Sequence, residues 1–345
     1  MLIFLWTIVG LGAGVAVLLL AAVTYQAIGR ARDRRRFPPP GRLVPVGGHR
    51  LHLLEAGAGE PAVIFDAGLP GTSLGWCYVQ PAVAEFTRTV SYDRAGLGWS
   101  ERGPRPRTTR QIVTELRAAL TNAGIAPPYV LVGHSFGGFT ARLFAHSYPE
   151  DVAGIVLVDS IHPREWLEPD AETQRKVLLG IRLARRTAAL ARLGAMRFYF
   201  WLIARRAVQP TAPSEWVASL QKMPRELLPA LRALWSEAKP YLTVADQIEA
   251  LHASAAQVAE ADAPRDLPLI VLSAGNADAR RLRDAAAIAK RSSRGVHLLA
   301  HGSGHWIQLD QPELIIAAIR QIVEQYRQTG GLQAPYIQSK SEIVH

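Results

Sequence analysis

Tyr129-Val130-Leu131-Val132-Gly133-His134-Ser135-Phe136-Gly137-Gly138 is the stretch on which the fold turns. Its first half is an apolar, β-branched run of the kind that forms a buried strand. A helical segment, Phe139 to His146, follows at once. Between them stands G-x-S-x-G. In so tight a strand–turn–helix corner the serine takes a strained backbone and its hydroxyl stands clear above the sheet. Glycines are needed at 133 and 137 because side chains there would collide with the neighbouring strand or helix. The helix start also aims free N–H groups and a positive dipole end at the same spot. The pentapeptide spacing alone is common by chance; the strand before it and the helix after it make it specific.

Working outward, further apolar runs between turns predict strands at Leu43–Val46, Leu51–Glu55, Ala62–Asp66, Thr89–Asp93, Tyr129–Gly133, Gly154–Val158, Leu267–Ser273 and Val296–Ala300. Helical spacing falls at Gly75–Glu85, Thr108–Asn122, Phe136–His146, Arg280–Lys290 and Gln311–Arg327. Two strands in hairpin order, then alternating strands and helices, describe an α/β fold with a mostly parallel eight-stranded sheet flanked by helices. The alternation breaks once. Residues 160–264 read as helices only, with Trp166, Trp201, Trp216 and Trp235 among them, and are expected to form an inserted helical cap. The core is then 43–159 and 265–328, and the polar tail 329–345 carries no pattern.

Leu2 to Ile28 holds no charged side chain. As a helix it would run about 40 Å, ample for a hydrocarbon core of roughly 30 Å. A buried core helix or a cleaved signal peptide are the rival readings, but no Lys or Arg precedes the run, which is too long for a signal's apolar region. A retained single-pass transmembrane anchor over 1–29 is expected, followed by a basic, Pro-rich linker over 30–42. The net charge of +10 is concentrated: Arg30–Arg36 carries +4, Thr173–Ala207 carries +9, and the remainder is −3. A basic patch beside an apolar span points to a membrane rather than to nucleic acid, and places the main domain on the cytoplasmic side. Arg197-Phe-Tyr-Phe-Trp201-Leu-Ile-Ala-Arg205-Arg206 reads as a cap helix on the core or as a lid touching the bilayer. The one cysteine, Cys77, excludes an intrachain disulfide framework and a Cys-based zinc site.

From Leu43 to Tyr326 the chain resembles the α/β-hydrolase family, with Gly133-His134-Ser135-Phe136-Gly137 as the nucleophile elbow. Asp66-Ala67-Gly68-Leu69-Pro70-Gly71 follows the third strand where the family carries its oxyanion loop, though Ala67 stands where many members have His. The resemblance implies an oxyanion hole made by the N–H groups of Leu69 and Phe136. Asp93-Arg94-Ala95-Gly96-Leu97-Gly98-Trp99-Ser100 looks like the family's D-x-x-G-x-G-x-S loop, a structural segment in which Trp99 could line the site.

A serine nucleophile needs a base. His305, in Gly302-Ser-Gly-His305, resembles the family's S-G-H segment; His301 is the runner-up. His134 is expected to point elsewhere on the turn, and His49, His52 and His146 to pack or face solvent. Two aspartates compete for the acid. Asp278 follows the seventh strand at the common family position, Asp159 follows the sixth, and Asp284 is a distant third. Relatives that open epoxides or displace halide have aspartate at the elbow, so serine implies acyl transfer to water from a carboxylic ester, as in an esterase or lipase, with no metal or organic cofactor. The substrate is expected to be a small, lipophilic acyl compound. An amidase or peptidase with the same triad, or a non-catalytic binding protein on this scaffold, are the other readings.

Overall fold

The computed structural model describes residues 2–208, 219–261 and 265–329. Trp216 and the tail from residue 330 lie outside them. Eight strands form one sheet: β1 (Arg42–Pro45), β2 (Arg50–Ala56), β3 (Ala62–Asp66), β4 (Thr89–Tyr92), β5 (Tyr129–His134), β6 (Val152–Val158), β7 (Leu269–Ala274) and β8 (Gly295–Ala300). Their order is β1-β2-β4-β3-β5-β6-β7-β8; β2 is antiparallel to both β1 and β4, and every pair from β4 to β8 is parallel. The central strands are buried along their whole length, as expected where helices cover both faces.

Alternation in β5 shows the two layers. Val130 and Val132 point into a cluster with Phe65, Val156, Ile315 and Ile319, whereas Leu131 joins the opposite one with Ile112, Phe139, Phe144 and Ile155. Helices α2 (Gln80–Ala84), α3 (Thr109–Asn122) and α4 (Gly137–Ser147) follow in chain order. The helix expected over Gly75–Glu85 is divided into a 3₁₀ turn at Ser73–Trp76 and α2, which starts afresh with Pro81 in its first turn.

Between β6 and β7 lie α5 (Arg164–Leu167), α6 (Ala171–Arg192), α7 (Ala195–Ala204), α8 (Leu228–Trp235), α9 (Ala238–Glu249) and α10 (Leu251–Ala259). The end of this insert is tied to the core: the Thr109 N–H donates to Ser254 Oγ at 3.1 Å, and the Lys239 ammonium donates to the Gly98 and Ser100 carbonyls at 2.8 and 2.7 Å. Helices α11 (Ala279–Ala289), α12 (Ile307–Asp310) and α13 (Pro312–Thr329) complete the described residues.

The N-terminal helix α1 (Leu2–Arg36) continues through the arginine run that was expected in the linker. No proline precedes Pro38, and three arginines in the last turn suit the negative end of the dipole. Phe4–Arg36 is apolar and long enough to be a candidate membrane span. Its C-terminal third docks on the insert. The Gln26 amide donates to the Ser236 carbonyl at 2.9 Å, Arg197 pairs with Asp33 at 2.5 Å, and Arg30 approaches Glu237 at 3.5 Å.

Candidate active site

The carboxyl ends of β3, β5, β6, β7 and β8 share one edge of the sheet, and the chemistry-bearing residues sit on the turns leaving it. Ser135 follows β5 directly with φ +52°, a left-handed backbone that a non-glycine residue holds only under constraint. Its N–H donates to the Val158 carbonyl at 3.0 Å, and its carbonyl accepts from Gly138 at 3.1 Å. The flanking glycines are steric requirements: a Cβ on Gly133 would stand 2.4 Å from the Gly137 carbonyl oxygen, and one on Gly137 2.3 Å from that of Asp66. Ser135 is 9% exposed, recessed but reachable.

His305 lies on the turn between β8 and α12. Its Nδ1 meets Asp159 Oδ2 at 2.6 Å, which leaves Nε2 as the nitrogen free to exchange a proton. Asp159 leaves β6 with φ +39°, and its Oδ1 accepts the Ala274 N–H at 3.0 Å. Burial would raise the Asp159 pKa; the hydrogen bonds from His305 and Ala274 outweigh it and hold the carboxyl below the usual range. Asp278, the other candidate acid, is drawn into a different task. It caps α11, accepting the Arg281 N–H at 2.8 Å from an exposed position. Asp284 lies on α11 beyond it, and His301 is exposed on the turn after β8.

His134 does not turn away, as the sequence suggested. It is buried, and its ring lies 4.7 Å from that of His305. Its Nε2 donates to the His305 carbonyl at 2.8 Å, and its Nδ1 takes the Gln308 amide at 3.3 Å. A carbonyl only accepts, so the proton sits on Nε2. Burial, with the neighbouring His305 adding to it, pushes the His134 pKa down to about 3 and keeps the ring neutral. The turn bearing His305 is therefore held from beneath by a neutral imidazole.

Arg94 organises the loop after β3. Its buried guanidinium donates to Asp66 Oδ1 and to the Gly68 carbonyl, both at 2.7 Å, and also to the Ala67 carbonyl. It further stacks over the Phe136 ring at 5.1 Å. Thus a side chain from the D-x-x-G-x-G-x-S loop supports the segment where Ala67 supplies none. Among the described residues neither the Leu69 nor the Phe136 N–H donates within the chain. Trp99 instead donates its indole N–H to the Phe37 carbonyl at 3.0 Å, beside the end of α1. His52 pairs with Asp93 at 2.9 Å and His49 with Glu115 at 3.3 Å, both buried; His146 is exposed on α4. Among the described residues no group of three or more His, Cys, Asp or Glu could hold a metal ion.

Known proteins share this architecture. An esterase from Thermogutta terrifontis superposes with a TM-score of 0.57 at 20% identity, over 83% of this chain and 98% of that one. The epoxide hydrolase CorEH gives 0.62 at 19%, over 83% and 99%. By sequence, an AB hydrolase superfamily protein of Gibberella zeae is 25% identical over 291 residues, 78% of this chain and 88% of the relative. A 2-hydroxymuconate semialdehyde hydrolase of Pseudomonas sp. (strain CF600) is 32% identical over 125 residues, 36% of this chain and 44% of the relative. The chain spans at most half the length of several other curated relatives it matches, at 18%, 50% and 41%. The family model described as Alpha/beta hydrolase family matches residues 63–318, which takes in the elbow, the whole insert and the His305 turn. A strand-to-helix elbow on a mostly parallel sheet, matched by that model over most of its length, makes this chain a member of the alpha/beta hydrolase family.

Proposed function

We propose that this protein is a membrane-anchored serine hydrolase that cleaves a carboxylic ester through an acyl-enzyme on Ser135. The observation that carries the reading is the 2.6 Å contact between His305 Nδ1 and Asp159, on the same sheet edge as a left-handed Ser135. His305 Nε2 takes the hydroxyl proton as Ser135 Oγ bonds to the acyl carbon, and Asp159 stabilises the imidazolium. The N–H groups of Leu69 and Phe136 receive the oxyanion. Collapse breaks the bond to the alcohol, which leaves with the proton from His305. Water then repeats the sequence in reverse roles: His305 takes its proton, hydroxide adds to the acyl carbon, and Ser135 departs with that proton as the acid is released.

The insert serves in this reading as the cap over the site. Its exposed Leu178, Leu179, Leu183, Leu190, Phe198 and Trp201, on α6 and α7, suit contact with a bilayer and a lipophilic substrate. The arginines that end α1 favour a cytoplasmic body. A fluorescent protein fused after His345 would then glow in cells, whereas activity of a periplasmic reporter at that position would refute the orientation.

The direct test is fluorophosphonate labelling of the full chain in detergent. Labelling should vanish in Ser135→Ala and fall sharply in His305→Ala. A folded wild type that never labels would refute an activated serine. Hydrolysis of matched amides at rates equal to the esters would replace ester by amide cleavage.

A further inference from the structure

A cavity of about 920 Å³ lies away from Ser135, between the end of α1, the loop holding Trp99, and helices α6, α8 and α9. Its charge does not balance. Three carboxylates line it, and each is engaged: Asp33 by Arg197, Glu101 by Arg50, and Glu237 by Arg30. Arg34, Arg192 and Lys239 also line it, and among the described residues none of the three has a carboxylate partner. Lys239 spends two donors on backbone carbonyls. Burial lowers its pKa, Glu237 and Asp93 oppose that, and Arg34 and Arg30 are near enough to lower it further. Like charges gathered around an open volume are stabilised by an anion placed among them.

The cavity's height along α1 identifies the source of that anion. Its upper wall includes Val23 and Ala27 of the apolar run, and its lower wall Arg30 and Arg34. Seven residues of helix from Val23 to Arg30 rise about 10 Å, comparable to the step from acyl chain to phosphate in a bilayer leaflet. Gly194, at the α6–α7 corner, abuts the Tyr25 ring, so the insert reaches the same level. Basic pockets beside the cytoplasmic end of a span suit anionic headgroups.

We propose that this cavity binds the phosphate-bearing headgroup of an anionic phospholipid, with the upper part of its chains lying along Val23 and Ala27 of α1. The proposal rests on the reading of α1 as a membrane span, but not on the chemistry at Ser135. Arg34 and Arg192 would hold the phosphate by charge-assisted hydrogen bonds, and Lys239 would supply field from beneath.

Native mass spectrometry of the full chain, released from neutral detergent after exposure to equal amounts of dioleoylphosphatidylglycerol and dioleoylphosphatidylcholine, tests it. The expected result is retention of phosphatidylglycerol at least tenfold over phosphatidylcholine. The double variant Arg34→Gln/Arg192→Gln should lose that preference at least tenfold; both side chains are exposed, so folding is spared. Ser135→Ala should retain the lipid like wild type. Equal retention of the two lipids would overturn the proposal, as would undiminished retention by the double variant. Loss of the lipid in Ser135→Ala would place it in the hydrolytic site instead. Stabilisation by inorganic phosphate equal to that by phosphatidylglycerol would assign the cavity to a free anion and refute the lipid. Recovery of the chain in the soluble fraction without detergent would remove the span, whereas fluorophosphonate labelling judges the hydrolase separately.

Discussion

Replacing Asp159 by Asn, with Asp278→Asn as its companion, separates the two acids by a mechanism read from hydrogen-bond roles. Asp159 accepts at both oxygens: from the Ala274 N–H at 3.0 Å and from His305 Nδ1 at 2.6 Å. An asparagine there has one acceptor. The Ala274 N–H is a fixed donor and claims that oxygen, so the amide NH₂ faces His305 Nδ1. Nδ1 must then accept, which moves the ring proton to Nε2 and leaves no base opposite Ser135. A wrong tautomer of this kind costs about 10⁴-fold in kcat, or about 5 kcal/mol of transition-state stabilisation. The fold should persist, because the two side chains have the same shape. At 278 the single bond is to the Arg281 N–H, and Asn caps helices as well as Asp. Activity should stay within about twofold there. The assay is the second-order rate of fluorophosphonate labelling, alongside turnover of a short-chain aryl ester. Asp159→Asn within tenfold of wild type, or a loss of orders of magnitude in Asp278→Asn, would refute the reasoning.

Three further outcomes are expected. Arg94→Lys cannot fork onto Asp66, Ala67 and Gly68 together; kcat should fall about 10²-fold with KM little changed, as when an oxyanion donor is misplaced. An equal change in KM alone would show that Arg94 serves binding instead. His134 is neutral in the fold with a pKa near 3 and would titrate at its ordinary value when unfolded. The unfolded chain therefore binds the extra proton between those values, so this contribution to stability is complete above about pH 6.5 and is lost as pH falls toward 3. His134→Gln, which can still donate to the His305 carbonyl, should flatten the acid limb of melting temperature against pH; an unchanged limb would exclude His134 as its source. Gly137→Ala should leave little folded protein in detergent, because the added carbon would meet the Asp66 carbonyl oxygen at 2.3 Å. Wild-type labelling by that variant would contradict the elbow's packing.

Elements defined by their own residues were legible in the sequence. The strand at Ala62–Asp66 is found with the ends expected, and the run at Tyr129 extends one residue to His134. Where a boundary moved, a local cause is visible. The seventh strand begins at Leu269 rather than Leu267 because Pro268 has no N–H to give the ladder; its carbonyl still accepts from Ile155. The arginines after Ile28 extend α1 because arginine is a good helix former, and charge alone does not end a helix. The contribution of His134 was not legible, since it depends on the β8–α12 turn crossing over β5, a contact separated by 171 positions. Nor was that of Arg94, whose motif marks a tight loop but not the neighbour it clamps. The capping role of Asp278 had one signal in the sequence: it stands just before the helix expected at Arg280, where a capping aspartate belongs.

The placement of Ser135 and Asp159 on neighbouring turns originates in strand register. His134 lies opposite Val158 in the parallel ladder, so the residues that follow them leave adjacent strands at the same level. Both then take left-handed backbones, at φ +52° and +39°, where side chains normally pay a strain of about 1–3 kcal/mol. The strain persists because the main chain on either side is held: Ser135 N–H by the Val158 carbonyl, and Asp159 N–H by that of Leu272 on the next strand. The strand before Ser135 thus anchors on the strand before Asp159, and that one on the strand carrying Ala274, whose N–H holds the Asp159 carboxylate. A one-residue slip of β6 would turn every side chain to the opposite face and break this chain of supports. Because the two faces of β5 and β6 pack into different clusters, such a slip would have to repack both. The packing that makes the sheet therefore also brings a serine, a histidine and an aspartate from three separate turns to one edge.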